Sequence, residues 1–330
     1  MTYNQEATIA RCLESIIAQR FNGRMEIVIG EDGSSATTAE ICRKYQADYP
    51  DIIRLHCNCR NKGLIDNYFD TLLSCTGRYL ADCAGDDRWS DPYKLQKQFD
   101  FMEKNIHVGM VHTAWEYYDV NSGQTIPYRY NADKTEIAEK GQLLISLLNR
   151  ELKPYPHLST ALWRRDAMMA EYSNDTELFR NRANTCEDLQ IIAAMASCMA
   201  VAYMPDKTLL YSVGHSSVSS EESYSKTFDF YYGTVRLTRQ IQLKYAVDDS
   251  EMNAYYLHIL DFLASQIIHG HLRDRVTALH SLAGDLPCRP SIKFRLIMAA
   301  MRFKGISWPV SALYHRISKR NVVKSQSDDE

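Results

Sequence analysis

"ADCAGDDRWSDPYKLQKQ" (residues 81–98) places Asp82, Asp86 and Asp87 within six residues. They follow Tyr79-Leu80-Ala81, an apolar run that reads as a buried strand. Like charges this close repel and are costly to desolvate, so a positive partner is expected. A divalent cation is the direct candidate. Mg2+ or Mn2+ takes hard oxygen ligands, often one or two carboxylates together with substrate phosphates. Asp86 is the first candidate ligand, with Asp87 beside it. The next stretch, "SDPYKLQKQFDFMEKN", reads as a helix. Ser90 or Asp91 is its N-cap, Pro92 lies just inside the first turn, and Leu95, Phe99 and Met102 follow helical spacing. Asp91 is therefore read as a cap.

The surrounding chain alternates. "MEIVIGED" is a short strand ending in Glu31-Asp32-Gly33, and "SSATTAEICRKYQADYP" is a helix stopped by Pro50. "DIIRLHC" is a strand, "NKGLIDNYFDTLLSCTG" a helix, and "VGMVHTAWEYYD" a longer strand. Such alternation predicts an α/β fold, a mainly parallel sheet with helices on both faces. Ligands of these sheets bind at the carboxyl ends of the strands. Asp32 and the Asp82–Asp87 cluster both fall at strand ends, on one rim. Further on, "EKGQLLISLLNRE" and "TCEDLQIIAAMAS" read as helices, the latter capped by Thr185. "HLSTALWRRD" is a strand running into a helix, and "CMAVAYMPDKTLLYSV" a β-hairpin turning near Pro205-Asp206. From Ser225 onward nearly everything is helical. A boundary is placed in the Ser-rich "GHSSVSSEES", giving domains 1–220 and 221–330.

Composition sets the class. The chain is 45% hydrophobic and 24% charged, as in soluble globular proteins. Nine scattered cysteines without a CxxC pair read as reduced structural thiols in a cytosolic protein. No apolar run approaches the ~20 residues that span a bilayer. "MTYNQEATIARC" has no apolar signal-peptide core. Charge is uneven. Nine Lys/Arg against three terminal carboxylates give residues 286–330 a net +6, which leaves −9 on residues 1–285.

Five stretches together resemble the family-2 glycosyltransferases of GT-A fold. "MTYNQEATIARCLESIIAQ" is similar to the family's "TYN-x-E…L…SI-x-x-Q" opening, and "EIVIGEDGSSATT" to "E-I-I-V-x-D-D-G-S-x-D-x-T". "NKGLIDNY" sits where the family has "N-x-G". "GRYLADCAGDDRWSDPYKLQKQ" resembles "G-x-Y-I-A-x-x-[ED]-G-D-D-x-W-x-D-P-x-K-L-x-x-Q", and "CEDLQIIAAMA" the catalytic "E-D". The order and spacing of the five are more specific than any one of them, and they cover about residues 1–220. The C-terminal helices are not explained by the resemblance.

The resemblance implies an inverting transfer from a nucleoside-diphosphate sugar, most readily a UDP-sugar, to a glycan or lipid-linked acceptor. The setting implied is bacterial surface-polysaccharide synthesis. Asp32 would accept from the base, with simple Asp-Gly turn chemistry as its structural alternative. Thr2 and Tyr3 would line the nucleotide pocket. Lys62 and Asn67 would approach base or phosphates, or stand on a solvated helix face. Asp188 would be the general base and Glu187 its neighbour. "YSVGHSSVSS" resembles "Y-R-x-H-x-x-S-x-S", whose His helps hold metal or diphosphate. Here His215 comes one residue late and Ser212 stands at the Arg position. His157, on the acceptor-side strand, is a further candidate.

The chain departs from its family at Ala84, where a carboxylate is usual. Strand alternation puts Asp82 on the same side, and the family acid touches sugar or ribose, so the departure bears on donor choice more than on metal. It keeps a non-catalytic nucleotide-sugar-binding protein among the readings. A sugar-1-phosphate nucleotidyltransferase would need a Gly-rich phosphate loop, and none is visible. The family's first apolar strand precedes "TYN", and here that strand is expected to be truncated. In "SIKFRLIMAAMRFKG", Ile292, Leu296, Ala299 and Phe303 form one helical stripe flanked by Lys293, Arg295, Arg302 and Lys304. "WPVSALYHRISKR" adds Trp308, Tyr314 and more basic residues. This is the composition of a helix lying on an anionic membrane surface; packing of the stripe on the rest of the protein is the alternative. The expected location is cytoplasmic, peripheral on the inner face of the membrane. Nucleic acid is not an expected partner.

Overall fold

The computed structural model describes residues 1–214 and 223–302. By contacts the chain divides into two compact units: Met1–His215 with Gln240–Tyr245, and Ser216–Arg239 with Ala246–Glu330.

The first unit opens with α1 (Ile9–Ile17), whose Ile9, Cys12 and Leu13 are buried. Strand β1 (Ile27–Glu31), helix α2 (Ala36–Asp48), strand β2 (Ile53–Cys57) and helix α3 (Leu64–Ser74) follow. β1 and β2 pair in parallel, Ile27 opposite Ile53 through Glu31 opposite Cys57. Thr2 pairs in parallel with Glu31. Its N–H donates to Gly30 O at 2.9 Å, and its carbonyl accepts from Asp32 N–H at 3.1 Å. Thr2 and Tyr3 thus reach the carboxyl end of β1.

Short strands β3 (Tyr79–Ala81) and β4 (Arg88–Trp89) flank the acidic loop, ahead of α4 (Lys94–Lys104) and the long β5 (Val108–Asp119). Asp91 caps one turn ahead of α4. Its Oδ1 accepts from Tyr93 N–H at 2.8 Å, and Lys94 N–H bonds its carbonyl. Edge strands β6 (Thr125–Pro127) and β7 (Glu136–Ala138) lead to α5 (Leu144–Leu148), β8 (Leu162–Arg164), α6 (Arg165–Asn174) and α7 (Thr176–Arg180). The unit continues with α8 (Asp188–Cys198) and β9 (Ala200–Val213). The second sheet runs β3-β8-β5-β9-β4, with β6 on β5 and β7 on β9. Its long ladder, β5 with β9, is parallel, whereas β3–β8, β8–β5, β4–β9, β5–β6 and β7–β9 are short antiparallel pairings. The sheet is mixed, its parallel content held in its longest ladder.

Two expectations are corrected here. Residues 198–213 form no hairpin, because β9 runs through Pro205-Asp206 as a single strand along β5. Thr113 faces Met204 and Ala114 faces Lys207, so the two intervening residues bulge. Proline lacks the N–H a ladder needs, and a bulge absorbs it without reversing the chain. α8 starts at Asp188, with Glu187 rather than Thr185 at the cap position.

Two apolar clusters form the interior. One gathers Ile9, Leu13, Ile27, Ile29, Cys42 and Ile53. The other includes Cys12, Trp89, Leu95, Met102, Val111 and Leu209. Ile16 and Met25 pack against both, so α1 joins the two sheets. Each fully buried aliphatic side chain contributes about 1.5–3 kcal/mol. Lys94 is fully buried, its Nζ donating to Gln98 Oε1 at 2.8 Å and lying 4.4 Å from the Trp89 ring. Burial pulls its ammonium down to about 7.

The second unit is helical. α9 (Tyr224–Lys244) begins within it, and α10 (Asp249–His269), α11 (Val276–Asp285) and α12 (Ile292–Arg302) complete it. Tyr256, Leu260, Leu263, Leu279, Phe294 and Ile297 are buried. Ser291 caps α12, accepting from Phe294 N–H at 2.9 Å and donating to Asp261 Oδ1 at 2.6 Å.

Candidate active site

At the end of β1, Asp32 is 3% exposed and its carboxylate is fully engaged. Oδ1 accepts from Asn58 Nδ2 and from Lys62 N–H, each at 2.9 Å, and Oδ2 accepts from Gly63 N–H at 3.0 Å. Asp32 therefore clamps the loop between β2 and α3. Gly33 makes this possible: its φ is +69°, and a Cβ there would lie 2.6 Å from the Arg60 carbonyl carbon. Asn67 is buried in the same knot, donating to Gly30 O at 3.1 Å and accepting from Asn58 Nδ2 at 3.0 Å. The Lys62 side chain turns to Asp70 at 3.0 Å. Thr2 is buried, and its hydroxyl has no partner among the described residues. Tyr3 is 48% exposed.

The acidic loop joins β3 to β4. Asp87 is buried, and both its oxygens are used: Oδ1 accepts from Ser212 N–H at 3.0 Å and Oδ2 from Ser159 Oγ at 3.2 Å. Burial, then the neighbouring charge of Asp86, pushes its carboxyl up to about 8 against those two hydrogen bonds. The Asp86 backbone is also anchored. Its carbonyl accepts from Ser212 Oγ at 2.6 Å and from Arg11 Nη2 at 3.0 Å. Asp82 and Asp86 are half-buried.

The loop before α8 completes the cluster. Burial, then Asp188 and Asp82, pushes the Glu187 carboxyl up to about 8. Asp188 Oδ1 accepts from Leu189 N–H at 2.7 Å. Burial lowers the His157 imidazole, while Asp188, Asp82 and Asp86 pull it upward. Tyr68 is buried, and burial, Asp82, Glu187 and Asp188 all raise its phenol. Residues from four separate segments thus share one electrostatic neighbourhood. An aromatic wall continues from it. His157 lies 4.8 Å from Tyr211, Trp115 lies 5.6 Å from Tyr211, and Trp115 stacks on Tyr128 at 4.1 Å.

Asp82, Asp86, Glu187 and Asp188 are brought together, as are Thr2, Tyr3, Asp32, Lys62 and Asn67 around the β1 end. His215 lies outside the described residues. Tyr68, Ser159, Ser212 and Arg11 were not singled out as site residues from their sequence. Tyr68 reads as helix core, and serines and an arginine carry no spacing signal.

Among the described residues no group of three His, Cys, Asp or Glu forms a metal cage. The donor set offers Asp86 as a hard oxygen ligand, since both Asp87 oxygens are taken. That fits Mg2+ or Mn2+ completed by substrate phosphates, an arrangement Mg2+ commonly adopts.

The sequence model described as Glycosyl transferase family 2 matches residues 1–170. EpsE of Bacillus subtilis is 38% identical over 117 residues, which cover 36% of this chain and 41% of that protein. The chain spans well under half the length of the curated relatives it matches. Among solved structures, S. aureus TarS 1–349 in complex with UDP-GlcNAc superposes with a TM-score of 0.54 at 15% identity, covering 91% of this chain and 89% of that one. The mannosyltransferase PcManGT from Pyrobaculum calidifontis, in complex with GDP-Man and Mn2+, superposes with a TM-score of 0.52 at 14% identity, covering 95% and 82%. These likenesses show the fold, which is GT-A.

Proposed function

Because the chain belongs to glycosyl transferase family 2, we propose that it moves a sugar from a nucleoside-diphosphate sugar to a hydroxyl of a glycan or lipid-linked acceptor, with inversion. The observation that carries this reading is the convergence of Asp82, Asp86 and Asp188 on His157. The acceptor oxygen attacks the anomeric carbon as the bond from that carbon to the diphosphate oxygen breaks. The diphosphate leaves with the electron pair, and Asp188 takes the hydroxyl proton. Asp86 would hold a divalent cation, which when bound neutralises charge developing on the diphosphate. Asp87 keeps the loop in place through Ser212 and Ser159. Tyr3 and the loop clamped by Asp32 form the base end of the donor site. Asp82 takes the side facing the sugar. The Trp115–Tyr211–His157 wall suits the apolar face of an acceptor pyranose.

A thermal-shift screen tests donor binding. UDP- and GDP-sugars with Mn2+ are expected to raise the melting temperature, with one nucleotide preferred. No shift with any of them contradicts the reading.

The pH dependence of cation binding follows from Asp87. Its carboxyl, pushed up to about 8, holds a proton below that pH and is neutral. Deprotonation adds negative charge beside Asp86, so Mn2+ affinity in the presence of UDP rises as pH climbs towards about 8 and levels off beyond it. Titration calorimetry across this range checks it; a flat profile assigns Asp87 no part.

We propose further that α12 meets an anionic lipid surface, as suits a lipid-linked acceptor. Ile292 and Leu296 are 69% and 66% exposed, with Lys293, Arg295 and Ala299 exposed alongside, while Phe294, Ile297, Met298 and Met301 face inward. The apolar stripe therefore points outward, amid positive charge. Phe303, Lys304, Trp308 and Tyr314 lie outside the described residues. Among the described residues no helix is long and apolar enough to cross a membrane. Each basic residue near anionic lipid contributes about 1 kcal/mol. The full chain should sediment with phosphatidylglycerol vesicles and not with phosphatidylcholine vesicles, and Ile292→Ser with Leu296→Ser should release it. Equal sedimentation with both lipids, or no effect of the substitutions, contradicts the proposal.

A further inference from the structure

On the transferase reading above, we propose that Arg11 is the positioning residue of the acidic loop, supplying from α1 a fixed positive charge that holds Asp86 in register for a cation and a nucleoside diphosphate. Its Nη2 donates to Asp86 O at 3.0 Å and to Ser212 Oγ at 3.1 Å. Ser212 Oγ donates in turn to Asp86 O at 2.6 Å, and Ser212 N–H is held by Asp87 Oδ1 at 3.0 Å. Arg11, Asp86 and Ser212 thus close a ring of hydrogen bonds, to which Asp87 is tied through Ser212 N–H. The Asp86 carbonyl receives two donors, which fixes its peptide plane.

The guanidinium is itself held. It lies 5.3 Å from the Tyr118 ring, and Arg88 lies 4.6 Å from the same ring. Neither arginine has a carboxylate within ion-pair distance among the described residues, and the Nε of each is buried without a hydrogen-bond partner there. Arg11 thereby sets a guanidinium without a carboxylate partner among the described residues against the Asp86 backbone carbonyl. Ser212, at the position where the resembled motif has Arg, accepts a guanidinium hydrogen bond from a residue 201 positions earlier in the chain.

A positioning role makes a different prediction from a merely structural one. UDP and GDP are titrated calorimetrically with and without Mn2+, on the full chain and on three variants: Arg11→Ala, Arg11→Lys, and Arg11→Ala combined with Ser212→Arg. Melting temperatures are recorded for all. Arg11→Ala should cut the Mn2+-dependent gain in nucleotide affinity by about tenfold or more, the size of a lost pair of charge-assisted hydrogen bonds. Nucleotide affinity without Mn2+ should stay nearly unchanged. Lysine should retain part of the gain, because it keeps the charge but not the fork. Arginine returned at position 212 should restore most of it. An unchanged gain in Arg11→Ala overturns the proposal. So does an equal loss with and without Mn2+ that Ser212→Arg fails to rescue. If the unsubstituted protein shows no Mn2+-dependent gain with either nucleotide, it is the cation-dependent transferase reading that fails.

Discussion

Asparagine at position 86 should lower sugar transfer by about a thousandfold, since several kcal/mol of charge stabilisation at the leaving diphosphate depend on that carboxylate. The substitution keeps the side chain's size and one oxygen and removes the negative charge. The backbone anchors do not depend on the side chain. The Asp86 carbonyl still accepts from Arg11 and Ser212, and Asp87 still holds Ser212 N–H. The fold should therefore melt within a few degrees of the unsubstituted protein while Mn2+-dependent UDP binding weakens. Initial rates and calorimetry read both quantities. Near-native turnover would remove Asp86 from the site. A collapse of the melting temperature would make it structural.

Asp188→Asn should reduce transfer by a different route. A general base contributes about 10²–10⁴-fold, and it acts on the acceptor hydroxyl rather than on the donor. Nucleotide-sugar affinity should hold, because an interaction made only in the transition state affects turnover and not ground-state binding. Asparagine keeps an Oδ1 for the Leu189 N–H bond that opens α8. Glu187 is a poor substitute, since burial and Asp82 still hold its carboxyl up after the Asp188 charge is removed. Its ionisation on raising the pH should therefore lift the residual activity of the variant. A large loss of donor affinity would instead place Asp188 on the nucleotide or the cation.

Much of this arrangement is legible in residue order. From β1 to β5, all elements but the two-residue β4 follow from alternating apolar runs and their Gly and Pro stops, whereas α1 is not read as a helix. Asp32, Asp82, Asp86 and Asp188 can be named because they stand at strand ends and a helix start, but residue order does not show that the strands before Asp32 and Asp82 lie in two different sheets. Pairing direction is less legible. A strand of three residues, such as β3 or β8, has the same composition whether its neighbour runs parallel or antiparallel. Pro205-Asp206 looks like a turn because both residues favour turns, and only the continuous β5 partner shows that a bulge suffices. The Lys94–Gln98 pair is spaced one helical turn apart, but only burial against Ala161 O and Trp89 reveals it as part of the interior. Arg11 is least legible of all. Its partners sit 75 and 201 residues away, and a lone arginine on an amphipathic helix usually faces water. On α12 the periodicity picks out Ile292, Leu296 and Ala299 as one stripe, yet the folded unit buries the stripe beside it.

The most direct measurement is to incubate the protein with UDP- and GDP-sugars, Mn2+ and a set of oligosaccharide and lipid-linked saccharide acceptors, and to identify the nucleotide released and the anomeric configuration of any product. The account predicts free nucleoside diphosphate in step with a new glycosidic bond of inverted configuration, both much reduced in Asp86→Asn and Asp188→Asn. Release of pyrophosphate, or tight nucleotide-sugar binding without turnover on any acceptor, would contradict it.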